Sequence, residues 1–245
     1  MPVYKAEAIV LRRRPLGEAD RVLTLFTMEW GKLSAVARGV RKTTSRLAGR
    51  LEPFSHVEML LAQGRGALDV VAQAEVREGM SALRANLRRF GAAALGAELL
   101  DAATPEREAH PELFHLIAAT LRRIGRDDPP TTAWFALHLV TLVGFQPALE
   151  GCAVCGRRPD PSPFWSHPLG GAVCSRCAVR DPAAARLRVE TLRALRLLLA
   201  ARGDGDAPLP EVDDPGRLLE VLRRYAEHRL EVRLRAPDVL SQIGG

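Results

Sequence analysis

Up to about residue 78, apolar residues recur with a period close to two, the signature of half-buried strands. The clearest case is 68–77, where Leu68, Val70, Ala72, Ala74 and Val76 alternate with Asp69, Gln73, Glu75 and Arg77. The stretches 3–14, 21–27, 32–38 and 57–61 carry weaker forms of the same pattern. Turn residues separate them: Pro15 to Gly17, Trp30-Gly31, and Gly64 to Gly66, which predicts a hairpin. A short helical piece fits 45–51. Five antiparallel strands in under 80 residues, with an insert after the third, predict a small closed barrel of the OB type, with an SH3-like barrel as the alternative.

Beyond residue 80 the period becomes helical. Leu83, Leu87, Phe90, Ala94, Leu95 and Leu99 predict one helix over 81–103. Pro111 suits a first turn and Gly125 an end, so 111–125 is a second helix. A third covers 131–144, with Thr131 or Thr132 as N-cap. Asp181-Pro182 is expected to open a helix running to 201, and Asp127-Asp128 and Asp213-Asp214 read as caps. A loop rich in Gly, Asp and Pro spans 203–214. Asp214-Pro215 then starts a last helix reaching about residue 233. These last helices are expected to pack on the first three, since neither set buries its apolar face alone.

The cysteines change this picture locally. All four fall into two Cys-x-x-Cys pairs, Cys152 with Cys155 and Cys174 with Cys177, with eighteen residues between the pairs. That spacing predicts one zinc ion. Four thiolates saturate a tetrahedral zinc and leave no position for water or substrate, so the metal is expected to be structural. Gly156 suits the knuckle after the second cysteine. His167 lies between the pairs but is not needed as a ligand. His56, His110, His115, His138 and His228 show no metal spacing; His138, on an apolar helix, reads as a core residue.

The fold class expected is thus α+β and multidomain: an OB-fold β-barrel over 1–79, a helical body over 80–150 and 181–245, and a four-cysteine zinc-finger module inserted at 151–180. No apolar stretch is long enough to span a membrane; 134–145 is the longest. The start lacks the charge order of a signal peptide. Paired thiols and no export signal point to the cytoplasm.

Charge narrows the function. The net charge is +6, and arginine supplies 32 of the 35 basic residues. Arginine grips phosphate with two parallel hydrogen bonds, so nucleic acid, acidic tails and anionic membranes are the partner classes to weigh. From Gly31 to Leu51 there are six basic residues and no acidic one: Lys32, Arg38, Arg41, Lys42, Arg46 and Arg50. Thr43, Thr44 and Ser45 add small donors. Arg12, Arg13 and Arg14 end the first strand and are expected to face the same groove. Such a layout suits phosphate backbones. The stretch holds no aromatic residue, so stacking on bases is not its means of grip. Neutralising six phosphates would give a salt slope of roughly −5 in log K. The alternative is a solvated basic face without a partner. Arg157, Arg158, Arg176 and Arg180 around the cysteines either extend the surface or keep the module soluble.

There is no Walker P-loop, no dinucleotide glycine fingerprint and no G-x-S-x-G elbow. The chain therefore reads as a binder and not an enzyme. The alternatives are a zinc-containing protein-interaction adaptor whose basic patch is incidental, and a metal-dependent nuclease with scattered carboxylates.

The runs from Ala8 to Thr27 (AIVLRRRPLGEADRVLTLFT), Gly31 to Lys42 (GKLSAVARGVRK) and Ser45 to Ser55 (SRLAGRLEPFS) strongly resemble the RecO family of bacterial recombination mediators. The order of barrel, helical body and cysteine module agrees over nearly the whole chain. The resemblance implies an OB-fold domain that binds single- and double-stranded DNA, anneals complementary strands, and helps load RecA onto DNA covered by single-strand-binding protein. It implies RecR and the acidic C-terminal tail of single-strand-binding protein as partners. By position in the motif, Lys32, Arg38, Arg41, Lys42, Arg46 and Arg50 inherit the DNA-contact role. Glu18 and Asp20 belong to the same motif and read as structural, pairing with Arg21 or Arg14. Some family members lack the four cysteines, which agrees with a structural role for zinc.

Overall fold

The computed structural model describes residues 2–64, 66–126, 128–158, 163–201 and 207–236. Arg65 of the predicted β-hairpin, Asp127 of the predicted caps and the start of the 203–214 loop lie outside them. The chain divides into two compact units, residues 1–126 with 236–245, and 127–235.

The first unit contains five strands: β1 (Val3–Leu16), β2 (Asp20–Thr27), β3 (Gly31–Ala37), β4 (His56–Ala62) and β5 (Leu68–Glu78). They close into a barrel in the order β1-β2-β3-β5-β4, with β3 and β5 parallel and the other neighbours antiparallel. This is the OB arrangement, and it decides against the SH3-like alternative. Alternation sets the lining: Ala6, Ala8, Val10, Leu23, Leu25, Leu33, Ala35, Val57, Met59 and Leu61 fill the barrel. The opposite face of the same strands carries Ile9 and Phe26, which are also buried.

That outer face is covered by helices. The predicted helix over 81–103 is broken into α1 (Ser81–Arg84) and α2 (Leu87–Ala103). Asn86 between them is extended, and its side chain accepts the Arg89 N–H, so it caps a new helix instead of continuing the old one. α3 (Pro111–Gly125) has the predicted bounds. Phe114 on α3 stacks on Phe26, and Phe90 on α2 meets Phe54 edge to face. The loop before α3 adds to the edge of β3, where the Arg107 N–H donates to the Lys32 carbonyl. Gly31 permits this approach: a Cβ there would lie 1.8 Å from the Glu108 carbonyl oxygen.

The insert between β3 and β4, residues 38–55, is a chain of turns and not the short helix expected over 45–51. Its bonds run from Ser45 N–H to the Lys42 carbonyl, from Ala48 to Ser45 and from Arg50 to Leu47, the three-residue step of single turns. Gly49, at φ +78, prevents their joining into a helix.

The second unit holds α4 (Thr131–Leu142), α6 (Val189–Ala200) and α7 (Pro215–Arg229), with a small module between α4 and α6. The module comprises β6 (Phe164–Ser166), β7 (Gly171–Val173), α5 (Ser175–Ala178) and β8 (Ala185–Arg186), with strand order β7-β6-β8. Both α6 and α7 pack on α4. Of the helices predicted before the cysteine module, α4 is the one that lies in this unit. Neither Thr131 nor Thr132 is the N-cap of α4; Pro130 holds that position with no side-chain cap. Asp181 does not open α6, because Ser166 Oγ donates to its carboxylate at 2.6 Å and 185–186 joins the small sheet. Asp214 caps α7 as expected, accepting the Arg217 N–H at 2.9 Å. That helix ends at Arg229, short of residue 233; Glu231 just beyond it sits at φ +54. His138 is a satisfied core residue: burial lowers its pKa, and its Nε2 is 3.1 Å from the Leu198 carbonyl oxygen.

Candidate nucleic-acid interface and metal centre

The predicted basic residues divide according to strand parity. Leu33, Ala35 and Ala37 of β3 point into the barrel, so Lys32 points outward. Its ammonium lies 3.0 Å from Asp101 of α2, with the lysine side chain 13% exposed. Arg12 reaches the same carboxylate at 2.9 Å. These two cations fasten α2 to the barrel.

Arg13 goes the other way. The β1–β2 register shifts between Val10 and Arg12, and this bulge reverses the parity of β1. Arg13 therefore pairs with Leu23, an inward residue, while Arg12 and Arg14 pair with Thr24 and Val22. Arg12, Arg13 and Arg14 do not face one groove as expected. Arg13 alone joins the mouth of the barrel, and Arg14 is exposed.

At that mouth lies a cleft of about 310 Å³. Arg13, Arg21, Arg41 and Lys42 line it, with Thr43, Leu47 and Glu52. Two contacts build its walls. Asp20 Oδ1 accepts the Gly39 N–H at 2.7 Å, and the Arg41 N–H donates to the Ala19 carbonyl at 2.9 Å. The start of the 38–55 insert is thus tied to the β1–β2 hairpin. Asp20 is structural, as expected, but its partner is a backbone amide and not an arginine. Arg41 also donates to the Gly17 carbonyl at 3.2 Å, and Arg50 donates to the Ala74 carbonyl at 2.9 Å. Arg38, Lys42 and Arg46 are exposed and have no side-chain partner among the described residues.

Sequence reasoning misses Arg21 as a site residue. The signal is present: Arg21 shares its strand face with Leu23 and Leu25, so it sits where the barrel lining ends and solvent begins. Arg13 carries an ion pair with Glu52, the one acidic residue lining the cleft.

Charge is distributed to match. Residues 1–126 hold 20 basic and 14 acidic residues, whereas 127–235 hold 15 and 14. The positive excess therefore lies in the barrel unit, where a polyanion would be attracted. Arg157, Arg158, Arg176 and Arg180 are exposed in the second unit.

A second polar cluster in the barrel unit is internal. Asp69 is wholly buried, and the Tyr4 hydroxyl, the Gly64 N–H and Arg107 all donate to it. Burial opposes its charge, but these donors prevail and hold the carboxyl below its ordinary range. Tyr4 is pushed up to about 12 by burial and by the neighbouring carboxylate.

In the second unit the four cysteine sulfurs lie within 4.8 Å of one another, with Cys155 and Cys174 Sγ 3.9 Å apart. All four are free thiols. Tetrahedral zinc with Zn–S bonds of about 2.3 Å would set its sulfurs about 3.8 Å apart, so the residues fit the ion. Two elements aim them. The 152–155 knuckle is closed by the Gly156 N–H on the Cys152 carbonyl, with Gly156 at φ +71. Cys174 and Cys177 flank the first turn of α5. Burial opposes ionisation of Cys152, but the N–H groups of Cys174, Cys155 and Val154 outweigh it and bring the thiol to about 6. Cys177, buried beside the other sulfurs, is pushed up to about 12. The neighbouring Cys152 sulfur opposes ionisation of Cys177, and a bound dication would remove that opposition. His167 is no ligand. It accepts from the Trp165 ring N–H at 3.2 Å and lies against Tyr225 of α7. Among the described residues no helix is long and apolar enough to cross a membrane.

The sequence matches two family models, Recombination protein O N terminal over residues 1–80 and Recombination protein O C terminal over 84–238. A DNA repair protein RecO from Pelotomaculum thermopropionicum is 37% identical over 252 residues, covering 100% of this chain and 96% of the relative. The DNA repair protein RecO of Frankia casuarinae is 40% identical, covering 99% of this chain and 100% of the relative. That of Myxococcus xanthus is 33% identical, at 100% and 99% coverage. Barrel, helices and cysteine cluster thus occur together in a chain that belongs to the RecO family of DNA repair proteins.

Proposed function

We propose that the protein is a recombination mediator that binds single- and double-stranded DNA largely without sequence preference and anneals complementary strands. The observation that carries this reading is the convergence of Arg13, Arg21, Arg41 and Lys42 on one cleft at the barrel mouth. No aromatic residue lines it, so contacts go to phosphate and the bases stay free to pair. Annealing then needs no bond chemistry and no enzyme. Two strands repel through their phosphates, and a surface that neutralises both lowers that repulsion while concentrating them.

Membership in the family supports the rest. The protein acts in the cytoplasm, helps load RecA onto DNA covered by single-strand-binding protein, and has RecR and the acidic tail of single-strand-binding protein as partners. Cys152, Cys155, Cys174 and Cys177 hold one zinc ion, which cross-links the knuckle to α5. With all four positions taken by sulfur, the ion serves folding and takes no part in binding DNA.

Complementary oligonucleotides, each coated with single-strand-binding protein and mixed without ATP, test the reading. Duplex should form faster with the protein than without it. Equal rates would overturn the annealing role.

A further inference from the structure

We propose that Glu52 occupies the nucleic-acid cleft in the free protein as a stand-in for a backbone phosphate, and that a phosphate displaces it from Arg13 on binding. The proposal rests on the reading that this cleft takes a nucleic-acid backbone.

Four observations carry it. Glu52 is the one carboxylate among eleven lining residues, four of which are cationic. Its carboxylate is paired with the guanidinium of Arg13. Both side chains are 28% exposed, so the pair sits at the surface of the cleft, where an incoming strand can reach it. The neighbouring Arg21 and Lys42 side chains have no partner among the described residues, so the cleft is poised for more negative charge than it holds.

The chemistry of the exchange is plain. Carboxylate and phosphodiester both present two oxygens to the guanidinium fork. Glu52 is tethered within the 38–55 insert, which gives it a high local concentration. A phosphodiester arrives with neighbouring phosphates that engage Arg21, Arg41 and Lys42 together. A long polyanion therefore displaces the carboxylate, whereas a single small anion gains only one contact. Glu52 acts as a threshold: it screens Arg13 from small anions and weakens, without abolishing, the hold on a strand. Weak hold serves annealing, because a strand gripped too tightly would not be handed on.

The test is fluorescence anisotropy of a labelled oligothymidylate across a salt series. The proteins are wild type, Glu52→Gln, Arg13→Gln, the double variant, Arg41→Glu with Lys42→Glu, and Glu58→Gln. Glu58, on β4, is a carboxylate away from the cleft and serves as a control for net charge. Glu52→Gln should bind about three- to tenfold tighter, since it exchanges a weak surface pair for a charge-assisted bond to phosphate. Its salt slope should steepen by about one. The gain should vanish when Arg13 is Gln. Unchanged or weaker binding by Glu52→Gln would overturn the proposal. So would an equal gain in the Arg13→Gln background or from Glu58→Gln, which would reduce it to net charge. A Glu52→Gln protein that fails to fold would also overturn it, by making Glu52 a structural clamp. The reading of the cleft fails separately, if Arg41→Glu with Lys42→Glu binds as tightly as wild type.

Discussion

Asp20 holds Gly39: the carboxylate at the start of β2 accepts the backbone N–H at the start of the insert, at 2.7 Å. One side chain thus sets where Arg38, Arg41 and Lys42 begin. The contact joins a hairpin to a loop nineteen residues later without using any of the cations. Gly39 sits at φ +61, a conformation that suits glycine and turns the chain back toward the hairpin.

Asp20→Ala separates position from charge. The substitution makes the protein more positive by one, so a purely electrostatic surface would bind DNA more tightly. The anchored-loop account expects the reverse: weaker binding by about three- to tenfold and a stability loss of about 1–2 kcal/mol from the lost charge-assisted bond. Anisotropy titration with thermal unfolding distinguishes the two.

Lys32 should behave unlike its neighbours in sequence. Its ammonium is mostly buried on Asp101. Removing it leaves a half-buried carboxylate with one partner fewer, so Lys32→Gln is expected to cost about 1–3 kcal/mol in stability. The salt slope of DNA binding should stay within experimental error of wild type. A flattened slope with an unchanged melting temperature would show that Lys32 contacts phosphate directly.

The two tyrosines give a test of the packing at high pH. Both are raised, Tyr4 to about 12 and Tyr225 by burial first of all. A raised phenol contributes stability that is complete below the unfolded value of about 10 and is lost as pH climbs through the folded value. The native protein should therefore show little tyrosinate absorbance at pH 10, and the melting temperature should fall between about pH 10 and 12. Tyr4→Phe should flatten part of that fall. Full ionisation near pH 10 in the folded protein would contradict the network of Tyr4, Asp69 and Arg107.

Changing Cys152 or Cys177 to Ser should remove the metal and unfold the small module, whose sheet strands have only two or three residues each. Native mass spectrometry should find one zinc per chain in wild type and none in the variants. Oligonucleotide affinity should change less than about threefold, because the cleft is built in the barrel unit. A tenfold loss would mean that the module takes part in binding.

The fold is legible in the sequence wherever one local signal acts alone. The two-residue period of 68–77, interrupted at Val71, marks β5, although the strand buries Asp69, Val71 and Ala74 and leaves Ala72 and Val76 exposed. Asp214-Pro215 marks the start of α7. The cysteine spacing marks the four-sulfur cluster. Sequence reasoning fails where a second interaction competes with the local signal. Asn86 reads as one residue inside a continuous apolar pattern, yet its amide side chain takes a backbone N–H and begins a new helix. Asp181 reads as the opening of a helix, yet Ser166 claims its carboxylate. The split of Arg12 from Arg13 depends on a bulge that no pattern of residue types announces. Arg21 and Lys32 need only the parity of their strands. Arg21 stands two residues before the inward Leu23, on the same face, and so reaches the barrel mouth. Lys32 stands one residue before the inward Leu33, on the opposite face, and so reaches α2.

The central claim is that cations at the barrel mouth bind nucleic-acid backbones by charge, and its most direct measurement is the salt dependence of oligonucleotide affinity in wild type and in Arg41→Glu with Lys42→Glu. The account predicts a wild-type slope of about −5, with the variant at least about tenfold weaker and its slope shallower by about two. Equal affinities and equal slopes in the two proteins would contradict it.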